Sequence, residues 1–370
     1  MSLQKPLKVC FLKRHLGQFG GLEKYTRFLT KAFAAENEVH ILSESAPILE
    51  CGISVHKVSS PSLSSSSNII RFDKACQKWL EGHKADIIFG MDRTSHQTHI
   101  RAGNGVHRAF LERRKESDSW LKRATDWWNR ANRVILDIEK KAFESPELKV
   151  LFTNSHMVKE EVLAYYKVDP SKIQVVHNGV EHEALEPQFQ ASLLLKESSV
   201  HQLLFIGNGY SRKGLVPLLL ALSKIAHLPF HLTVIGKERS ISHYKRKAAE
   251  LGLCKKVSFL GQQASTTPFY AKADTLVVPS YYDPFANVTL EAMAMGLFVI
   301  SSKYNGGHEI ITDVNGSVLP SLSDITAFAD ILKERILERK TQKQAELIRS
   351  SIAHLDFKNQ LGKIVRASLS

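Results

Sequence analysis

The segment Thr275–Ser301 has the sequence TLVVPSYYDPFANVTLEAMAMGLFVIS and contains two apolar runs separated by a longer stretch. The first run ends at Pro279 and the second begins at Phe298, and each has the length and continuous apolar character of a strand in a parallel sheet. The stretch between them, around Glu291, has the composition of a helix. The segment therefore predicts a β-α-β unit, from which doubly wound α/β domains are built.

Outward from this segment, the same alternation runs through the chain of 370 residues, a length that suits two domains. Further strands are predicted at Leu7–Leu12, Val39–Leu42, Asp86–Gly90, Lys149–Asn154, Ile173–Val180, Gln202–Gly207, His231–Gly236 and Val257–Gly261. Helices are predicted at Leu22–Ala35 and Gly214–Ala226. The pattern restarts after Val180, so we expect two Rossmann-like doubly wound domains facing a central cleft. The expected bounds are residues 1–174, joined by a C-terminal helix over 355–370, and residues 175–354.

Two loops between a predicted strand and helix carry residue types that bind phosphate. Gly20 and Gly21 follow the first strand, where glycines let backbone N–H groups approach an anion beside a helix N-terminus. The loop Gly207–Gly214 repeats this arrangement and adds Arg212 and Lys213, while departing from both the P-loop and the GxGxxG patterns. Arginine can bind a diphosphate through two hydrogen bonds and lysine acts as a point charge. The alternatives are a flexible turn for the first loop and a solvated basic turn for the second.

Two acids flank the start of the helix predicted after Pro279. Glu291 lies about one turn inside that helix, and its carboxylate suits the two hydroxyls of a ribose. Asp283 precedes the helix and is placed to hold hydroxyls of a transferred sugar. The amides between them, over 285–287, are expected to face a phosphate. The alternative for each acid is an ordinary charge at a helix end.

These motifs together resemble the signature of retaining glycosyltransferases of family 4, which have the GT-B fold. The resemblance is carried by the acid-x7-acid pattern within Asp283–Gly296, the Phe19–Glu23 and Arg212–Gly214 loops, and Val176–Val180 at the domain junction. It covers almost the whole chain, and the bacterial lipopolysaccharide core glucosyltransferases are the members that look most similar. The resemblance implies transfer of a sugar from a nucleotide diphosphate, usually UDP, with retention of configuration and without a catalytic metal or cofactor.

The resemblance also implies roles for individual residues. His107, in Ala102–His107, matches a family histidine that faces the donor sugar. The residues assigned to catalysis are His107, Arg212, Lys213 and Asp283. The residues assigned to donor binding are Gly20, Gly21, Asn208, Arg212, Lys213, Phe285, Ala286, Asn287 and Glu291.

Two positions depart from the family pattern. Asp283 replaces the usual glutamate and is one methylene shorter, which affects the sugar contact and the donor identity. Asn208 stands where many relatives have a further arginine, so Arg212 is expected to substitute for it.

The expected reaction moves a hexose from a UDP-sugar to a hydroxyl of a lipopolysaccharide-core or other lipid-linked glycan. The resemblance implies that this hexose is glucose. No pair of carboxylates has the pattern of a glycosidase dyad, so we favour attack by the acceptor on the face that the leaving phosphate occupies. The departing phosphate would take the acceptor's proton. Asp92, at the edge of a predicted strand, is the candidate contact for the acceptor. A nucleotide-sugar epimerase or a glycosyl phosphorylase on the same fold is the alternative.

The chain is basic, with 50 Lys and Arg against 37 Asp and Glu and a net charge of +13. That excess suits nucleic acid, an anionic membrane or phosphorylated substrates. Eight cations, four acids, Trp120, Trp127 and Trp128 fall within Val106–Arg133, which predicts a helix that docks on an anionic leaflet. The alternative is a solvated helix whose tryptophans pack inward. Nucleic-acid binding is a distant alternative, since no RNP, helix-turn-helix or zinc-finger pattern is present.

The cysteines and the N-terminus bear on the compartment. The four cysteines, Cys10, Cys51, Cys76 and Cys254, are far apart and form no CxxC, which argues against a disulfide framework or a zinc site. The sequence has neither a signal-peptide pattern nor an apolar stretch of about 20 residues. We therefore expect a cytoplasmic protein at the inner face of the cytoplasmic membrane.

Overall fold

The structure is a computed structural model that describes residues 6–16, 21–45, 52–59, 65–117, 129–195, 199–338 and 340–369. The chain divides into two compact units. The N-terminal unit comprises Met1–His177 and Lys358–Ser370, and the C-terminal unit comprises Asn178–Phe357.

The N-terminal unit is built on a parallel sheet of seven strands in the order β3-β2-β1-β4-β5-β6-β7. Its strands are β1 Lys8–Leu12, β2 Glu38–Ser43, β3 Ile53–Lys57, β4 Ile87–Gly90, β5 His99–Arg101, β6 Val150–Thr153 and β7 Ile173–Val175. The order reverses between β1 and β4, and ligands of such sheets bind beyond the carboxyl ends of the strands at that point. Val9, Phe11 and Leu12 of β1 are completely buried, which explains why residues 9–12 of this strand are all apolar.

Helices connect these strands. In the described part of this unit they are Gly21–Ala34, Ser65–Gly82, His107–Ser117, Arg130–Phe143, His156–Tyr165 and, at the C-terminus, Phe357–Leu369. The sequence predicted one helix over the basic segment Val106–Arg133, but the segment is not one continuous helix. Asn129 has extended backbone, and its side chain accepts a hydrogen bond from the Ala131 amide at 3.0 Å, so a new helix begins at Arg130. Trp120, Trp127 and Trp128 lie outside the described residues.

The C-terminal unit contains a parallel sheet of six strands in the order β10-β9-β8-β11-β12-β13. Its strands are β8 His201–Ile206, β9 Phe230–Ile235, β10 Val257–Gly261, β11 Thr275–Val278, β12 Phe298–Ser302 and β13 Gly316–Leu319. Its described helices are Glu186–Leu193, Leu215–Lys224, Ile241–Glu250, Thr267–Lys272, Asn287–Ala294, Ile325–Leu337 and Gln342–Ser351. The strand order reverses between β8 and β11, so the loops that follow these two strands meet at the expected ligand-binding edge.

The opening segment of the sequence forms the predicted β-α-β unit. β11 and β12 pair in parallel from Thr275 opposite Phe298 to Val278 opposite Ser301, and the helix Asn287–Ala294 connects them. The prediction of two Rossmann-like, doubly wound domains is confirmed. Among the helices that the structure describes, none combines the length and the apolar character needed to cross a membrane.

Candidate functional site

The loop Gly207–Gly214 follows β8 and is held against neighbouring backbone by glycines. Gly214 has φ +74°, and a Cβ atom at this position would collide with the carbonyl oxygen of Pro279. The backbone amide of Tyr281 donates to the carbonyl oxygen of Arg212 at 2.9 Å. The loop after β8 is therefore fixed directly beside the loop after β11, and only glycine fits at Gly214.

Three of the predicted catalytic residues meet between these two loops. The Nζ atom of Lys213 lies 2.5 Å from Oδ2 of Asp283, and Nη1 of Arg212 lies 3.4 Å from the same oxygen. Arg212 also donates to the carbonyl oxygen of Tyr282 at 2.8 Å. The cluster of Arg212, Lys213 and Asp283 carries one net positive charge, which suits an incoming anion.

The electrostatics of this cluster keep Asp283 ionised. Burial by itself disfavours the charged carboxylate, but the positive charges of Lys213 and Arg212 outweigh burial and hold the pKa of Asp283 below its usual value. The Lys213 side chain is 10% exposed and that of Arg212 is 36% exposed. Arg212 is therefore the more accessible of the two cations.

The start of the helix Asn287–Ala294 differs from the sequence prediction. The amide of Phe285 donates to Oδ1 of Asp283 at 3.2 Å, and the amide of Ala286 donates to Oδ1 of Asn305 at 2.8 Å. Oδ1 of Asn287 accepts a hydrogen bond from the side chain of Asn178 at 2.6 Å. The sequence predicted that the amides face a phosphate, whereas those of Phe285 and Ala286 donate within the protein and shape the loop.

Asn305 is a residue of this site that sequence reasoning missed. It is completely buried, and its amide nitrogen donates to Oγ1 of Thr289 at 3.2 Å and to Oγ of Ser301 at 3.0 Å. Its Oδ1 also accepts from the Gly307 amide at 3.1 Å. Asn305 thus ties the loop after β12 to the helix that carries Glu291. The available sequence signal was an asparagine directly before two glycines.

Glu291 lies on the helix Asn287–Ala294, as predicted, and is partly buried. The hydroxyl of Tyr270 donates to its Oε2 at 2.8 Å. Burial, with the charge of Glu291, raises the pKa of Tyr270 well above its usual value, so the phenol stays protonated and remains a donor. Tyr270, which the sequence did not indicate, orients the carboxylate expected to bind ribose.

Three other predicted donor-site residues have different outcomes. Oδ1 of Asn208 accepts a hydrogen bond from the backbone amide of Lys237 at 2.8 Å. Asn208 is exposed, and this hydrogen bond links two loops. Gly21 is the first residue of the helix Gly21–Ala34. Gly20 lies outside the described residues.

His107 lies in the N-terminal unit at the start of the helix His107–Ser117 and is 7% exposed. Its Nε2 atom is 3.2 Å from Oδ1 of Asn132. Burial lowers the pKa of His107 to about 4, and the charge of Arg93 acts in the same direction. The imidazole is therefore neutral at pH 7, and it donates from Nε2 when the Asn132 oxygen is the acceptor.

Glu139 supports the backbone at His107 and was not predicted. Both of its carboxylate oxygens lie 3.0 Å from the His107 amide, and Oε2 also accepts from the Tyr166 hydroxyl at 2.7 Å. Nε of Arg93 lies 3.6 Å from Oε1. Burial raises the pKa of Glu139 despite these donors. This buried carboxylate fixes the start of the helix that presents His107.

Asp92, the predicted acceptor contact, lies in an ion pair at the point where the N-terminal sheet reverses. Nζ of Lys13 is 3.2 Å from Oδ2 of Asp92, and the Arg14 amide donates to the same oxygen at 2.9 Å. Lys13 is almost fully buried. In this structure Asp92 therefore holds the loop after β1 against the loop after β4.

Comparison with known proteins identifies the family. Residues 19–184 match the model described as Glycosyltransferase Family 4, and residues 200–337 match the model described as Glycosyl transferases group 1. The chain belongs to the glycosyltransferases. The two matched regions together cover most of the chain, so membership does not rest on a single motif.

Curated relatives match over about half of their length. An uncharacterized glycosyltransferase of Methanocaldococcus jannaschii is 32% identical over 178 residues, which are 45% of this chain and 45% of that protein. The lipopolysaccharide core biosynthesis glycosyltransferase LpsE of Rhizobium meliloti is 26% identical over 165 residues, which are 45% of this chain and 46% of LpsE.

Solved structures share the fold across the whole chain. WaaG, a glycosyltransferase involved in lipopolysaccharide biosynthesis, superposes with a TM-score of 0.76 at 21% identity and covers 98% of this chain and 99% of WaaG. Anabaena HepE, solved in complex with UDP and glucose, has a TM-score of 0.68 at 17% identity, with coverage of 98% of this chain and 100% of HepE. At these identities the similarity shows the fold, and it confirms the GT-B class predicted from the sequence.

Proposed function

We propose that this glycosyltransferase is a retaining enzyme that transfers glucose from UDP-glucose to a hydroxyl of a lipopolysaccharide-core or other lipid-linked glycan. The observation that carries the proposal is the cluster of Arg212, Lys213 and Asp283 at the switch point of the C-terminal sheet. Two cations beside a carboxylate at that edge supply the charge that a sugar diphosphate requires. Family membership and the fold shared with HepE, solved with UDP and glucose, support the same donor class.

The proposed donor contacts follow from the site geometry. Arg212 and Lys213 bind the diphosphate, Asp283 accepts from hydroxyls of the sugar, and Glu291 accepts from those of the ribose. Lys213 would shift from Asp283 toward the phosphate, which leaves the carboxylate available to the sugar. Asp283 is ionised in advance, so it can accept hydrogen bonds without a change of protonation state.

The proposed chemistry places the cations where negative charge develops. As the bond between sugar and phosphate lengthens, charge builds on the departing diphosphate, and preorganised positive groups stabilise that charge most in the transition state. The acceptor hydroxyl then attacks from the same face, and the departing phosphate takes its proton. His107, neutral at pH 7, acts as a hydrogen-bond partner of the donor sugar and not as a general acid.

The proposal assigns donor binding to residues 175–354 and acceptor binding to residues 1–174 with the C-terminal helix 355–370. LpsE and WaaG support the acceptor class, because both are described by roles in lipopolysaccharide synthesis. We place the reaction at the cytoplasmic face of the membrane, where the basic segment Val106–Arg133 would meet anionic lipid. The tryptophans of that segment lie outside the described residues, so the support for membrane docking is the sequence.

A product analysis tests the proposed reaction. The protein is incubated with UDP-glucose, with and without a deacylated lipopolysaccharide-core oligosaccharide, and both free UDP and the product are followed by NMR. The expected result is UDP release only when the acceptor is present, and an α-linked glucose in the product. Conversion of the UDP-sugar without release of UDP would instead indicate an epimerase.

A further inference from the structure

The helix Arg130–Phe143 has two faces with different surroundings. Asn132 and Glu139, seven positions apart in the sequence, lie on the face that contacts His107. Arg130, Arg133 and Lys141 lie on another face, which lines a pocket. The spacing of these three cations follows the period of 3.6 residues per turn. One helix therefore connects the surroundings of His107 to a separate cavity.

The cavity lies between the helices Ser65–Gly82 and Arg130–Phe143 and has a volume of about 870 Å³. This volume is within the range of roughly 300–1,000 Å³ that small-molecule sites occupy. Its apolar lining consists of Ile70, Val134 and Ile138, of which Ile138 is buried. A pocket with an apolar floor and a polar rim can hold the ring of a sugar while charged groups bind its substituents.

The acids that line this pocket already have partners. Asp137 lies 2.8 Å from Nζ of Lys141. Asp73 is buried and accepts hydrogen bonds from the Ser95 amide at 2.7 Å and from the Gln77 side chain at 3.0 Å. Both acids thus have internal partners, and Asp73 attaches the loop at Ser95 to the helix Ser65–Gly82.

Three other cations that line the pocket are not neutralised in the same way. Lys74, Arg130 and Arg133 line the pocket with exposed side chains, and none of them pairs with a carboxylate among the residues that the structure describes. Arg130 and Arg133 also lie in the first turn of their helix, where the helix dipole adds positive potential. A pocket of this charge and position favours an anion, and arginine favours phosphate or carboxylate because it can form two parallel hydrogen bonds.

We propose that this pocket binds an anionic substituent of the acceptor glycan, a phosphate or a carboxylate on a sugar ring. The inference rests on the proposed function, because it takes the N-terminal unit as the acceptor-binding unit. Arg130 and Arg133 bind the anion, Lys74 adds charge from the opposite helix, and the apolar floor contacts the ring. The helix that binds the anion on one face contacts His107 on another, so this helix lies between the pocket and His107.

A titration with simple sugars tests this pocket directly. The donor site is first filled with saturating UDP, and the protein is then titrated by NMR with glucose 6-phosphate, glucuronate and neutral glucose. Wild type should bind at least one of the anionic sugars more tightly than glucose. If glucose 6-phosphate binds more tightly than glucuronate, the acceptor is assigned a phosphate. If glucuronate binds more tightly than glucose 6-phosphate, the acceptor is assigned a carboxylate.

Variants separate the pocket from the donor site. Arg130→Ala/Arg133→Ala should weaken binding of the anionic sugar by about tenfold or more, since hydrogen bonds to charged groups are lost. Arg130→Lys/Arg133→Lys should keep part of the affinity. Lys140→Ala, an exposed cation of the same helix outside the pocket lining, should behave as wild type. UDP affinity should be the same in all of these proteins.

Two results would overturn the proposal: equal binding of anionic and neutral sugars by wild type, or wild-type affinity in the double alanine variant. If wild type fails to bind UDP, the proposed function fails, and the same titration without UDP still decides whether the pocket takes anions. Retention on anionic vesicles without any response to the soluble anions would assign the cations to lipid and would also overturn the proposal.

Discussion

Nζ of Lys213 lies 2.5 Å from Oδ2 of Asp283, and the two residues are 70 positions apart in the chain. The contact joins the loop after β8 to the loop after β11 at the edge where the strand order reverses. Each member of this ion pair can exchange the other for a ligand group, since the lysine complements the diphosphate and the aspartate complements the sugar hydroxyls. The pair therefore links the packing of the two loops to the proposed chemistry.

Removal of either cation should reduce turnover more than acceptor binding. Lys213→Ala and Arg212→Ala each remove a charge that is most needed as the diphosphate departs, so kcat should fall by about tenfold to over a hundredfold. Steady-state kinetics with UDP-glucose measure the effect, with Lys237→Ala in the neighbouring loop as the control. Unchanged rates in both single variants and in the double variant would refute the assignment.

Tyr270→Phe should weaken donor binding without removing Glu291. The phenol orients the carboxylate through one hydrogen bond of 2.8 Å, and its loss should cost about 1 kcal/mol, or roughly fivefold in affinity. Calorimetric titration with UDP measures the change, and circular dichroism checks the fold. The same UDP affinity in Tyr270→Phe as in wild type would show that the hydrogen bond has no positioning role.

Stability should fall in mild acid because of three buried histidines. Burial lowers the pKa of His99, His107 and His201 to about 4, whereas the unfolded chain titrates near 6.5. Below about pH 6.5 the unfolded state binds protons that the folded state does not, so the free energy of unfolding decreases until about pH 4. Urea denaturation at about pH 7.5, 6 and 5, which sample the range between the two pKa values, should show this decrease in the free energy of unfolding. His201→Gln should make the free energy of unfolding less dependent on pH. A free energy of unfolding that is constant over this range would contradict the prediction.

The membrane prediction rests on the charges and tryptophans of Val106–Arg133. The protein should float with vesicles rich in anionic lipid and not with neutral ones, and salt should weaken binding because charges are screened within about 10 Å at 0.1 M. Lys122→Glu/Arg123→Glu should abolish flotation while activity on a deacylated acceptor survives. These two residues lie outside the described part of the chain. Equal flotation with both lipids would contradict membrane docking by this segment.

The sequence predicted the strands whose residues are continuously apolar and failed at shorter, more polar ones. Thr275–Val278 and Phe298–Ser302 are buried along their whole length, so their character shows in the residue types. β5 was missed because His99 and Arg101 occupy two of its three positions, yet all three residues are buried. β3 was missed because it is a half-buried edge strand in which polar and apolar residues are mixed.

For the site, the sequence indicated chemical types but not their partners. It placed Arg212, Lys213 and Asp283 in one donor site, a grouping that came from motifs. It could not indicate that Lys213 and Asp283 bind each other, because that contact depends on the order of strands in the sheet. Tyr270 and Asn305 were missed for the same reason, since each acts through contacts between separate elements.

The central claim is that the C-terminal unit binds a UDP-sugar through Glu291 and the cluster of Arg212, Lys213 and Asp283. Its most direct test is calorimetric titration of UDP-glucose into wild type, Glu291→Ala and the control Glu250→Ala, an exposed acid of the same unit. Wild type and the control should bind with equal affinity, and Glu291→Ala should bind about tenfold to over a hundredfold more weakly while remaining folded. Wild-type affinity in folded Glu291→Ala, or no binding of UDP-glucose by wild type, would contradict the claim.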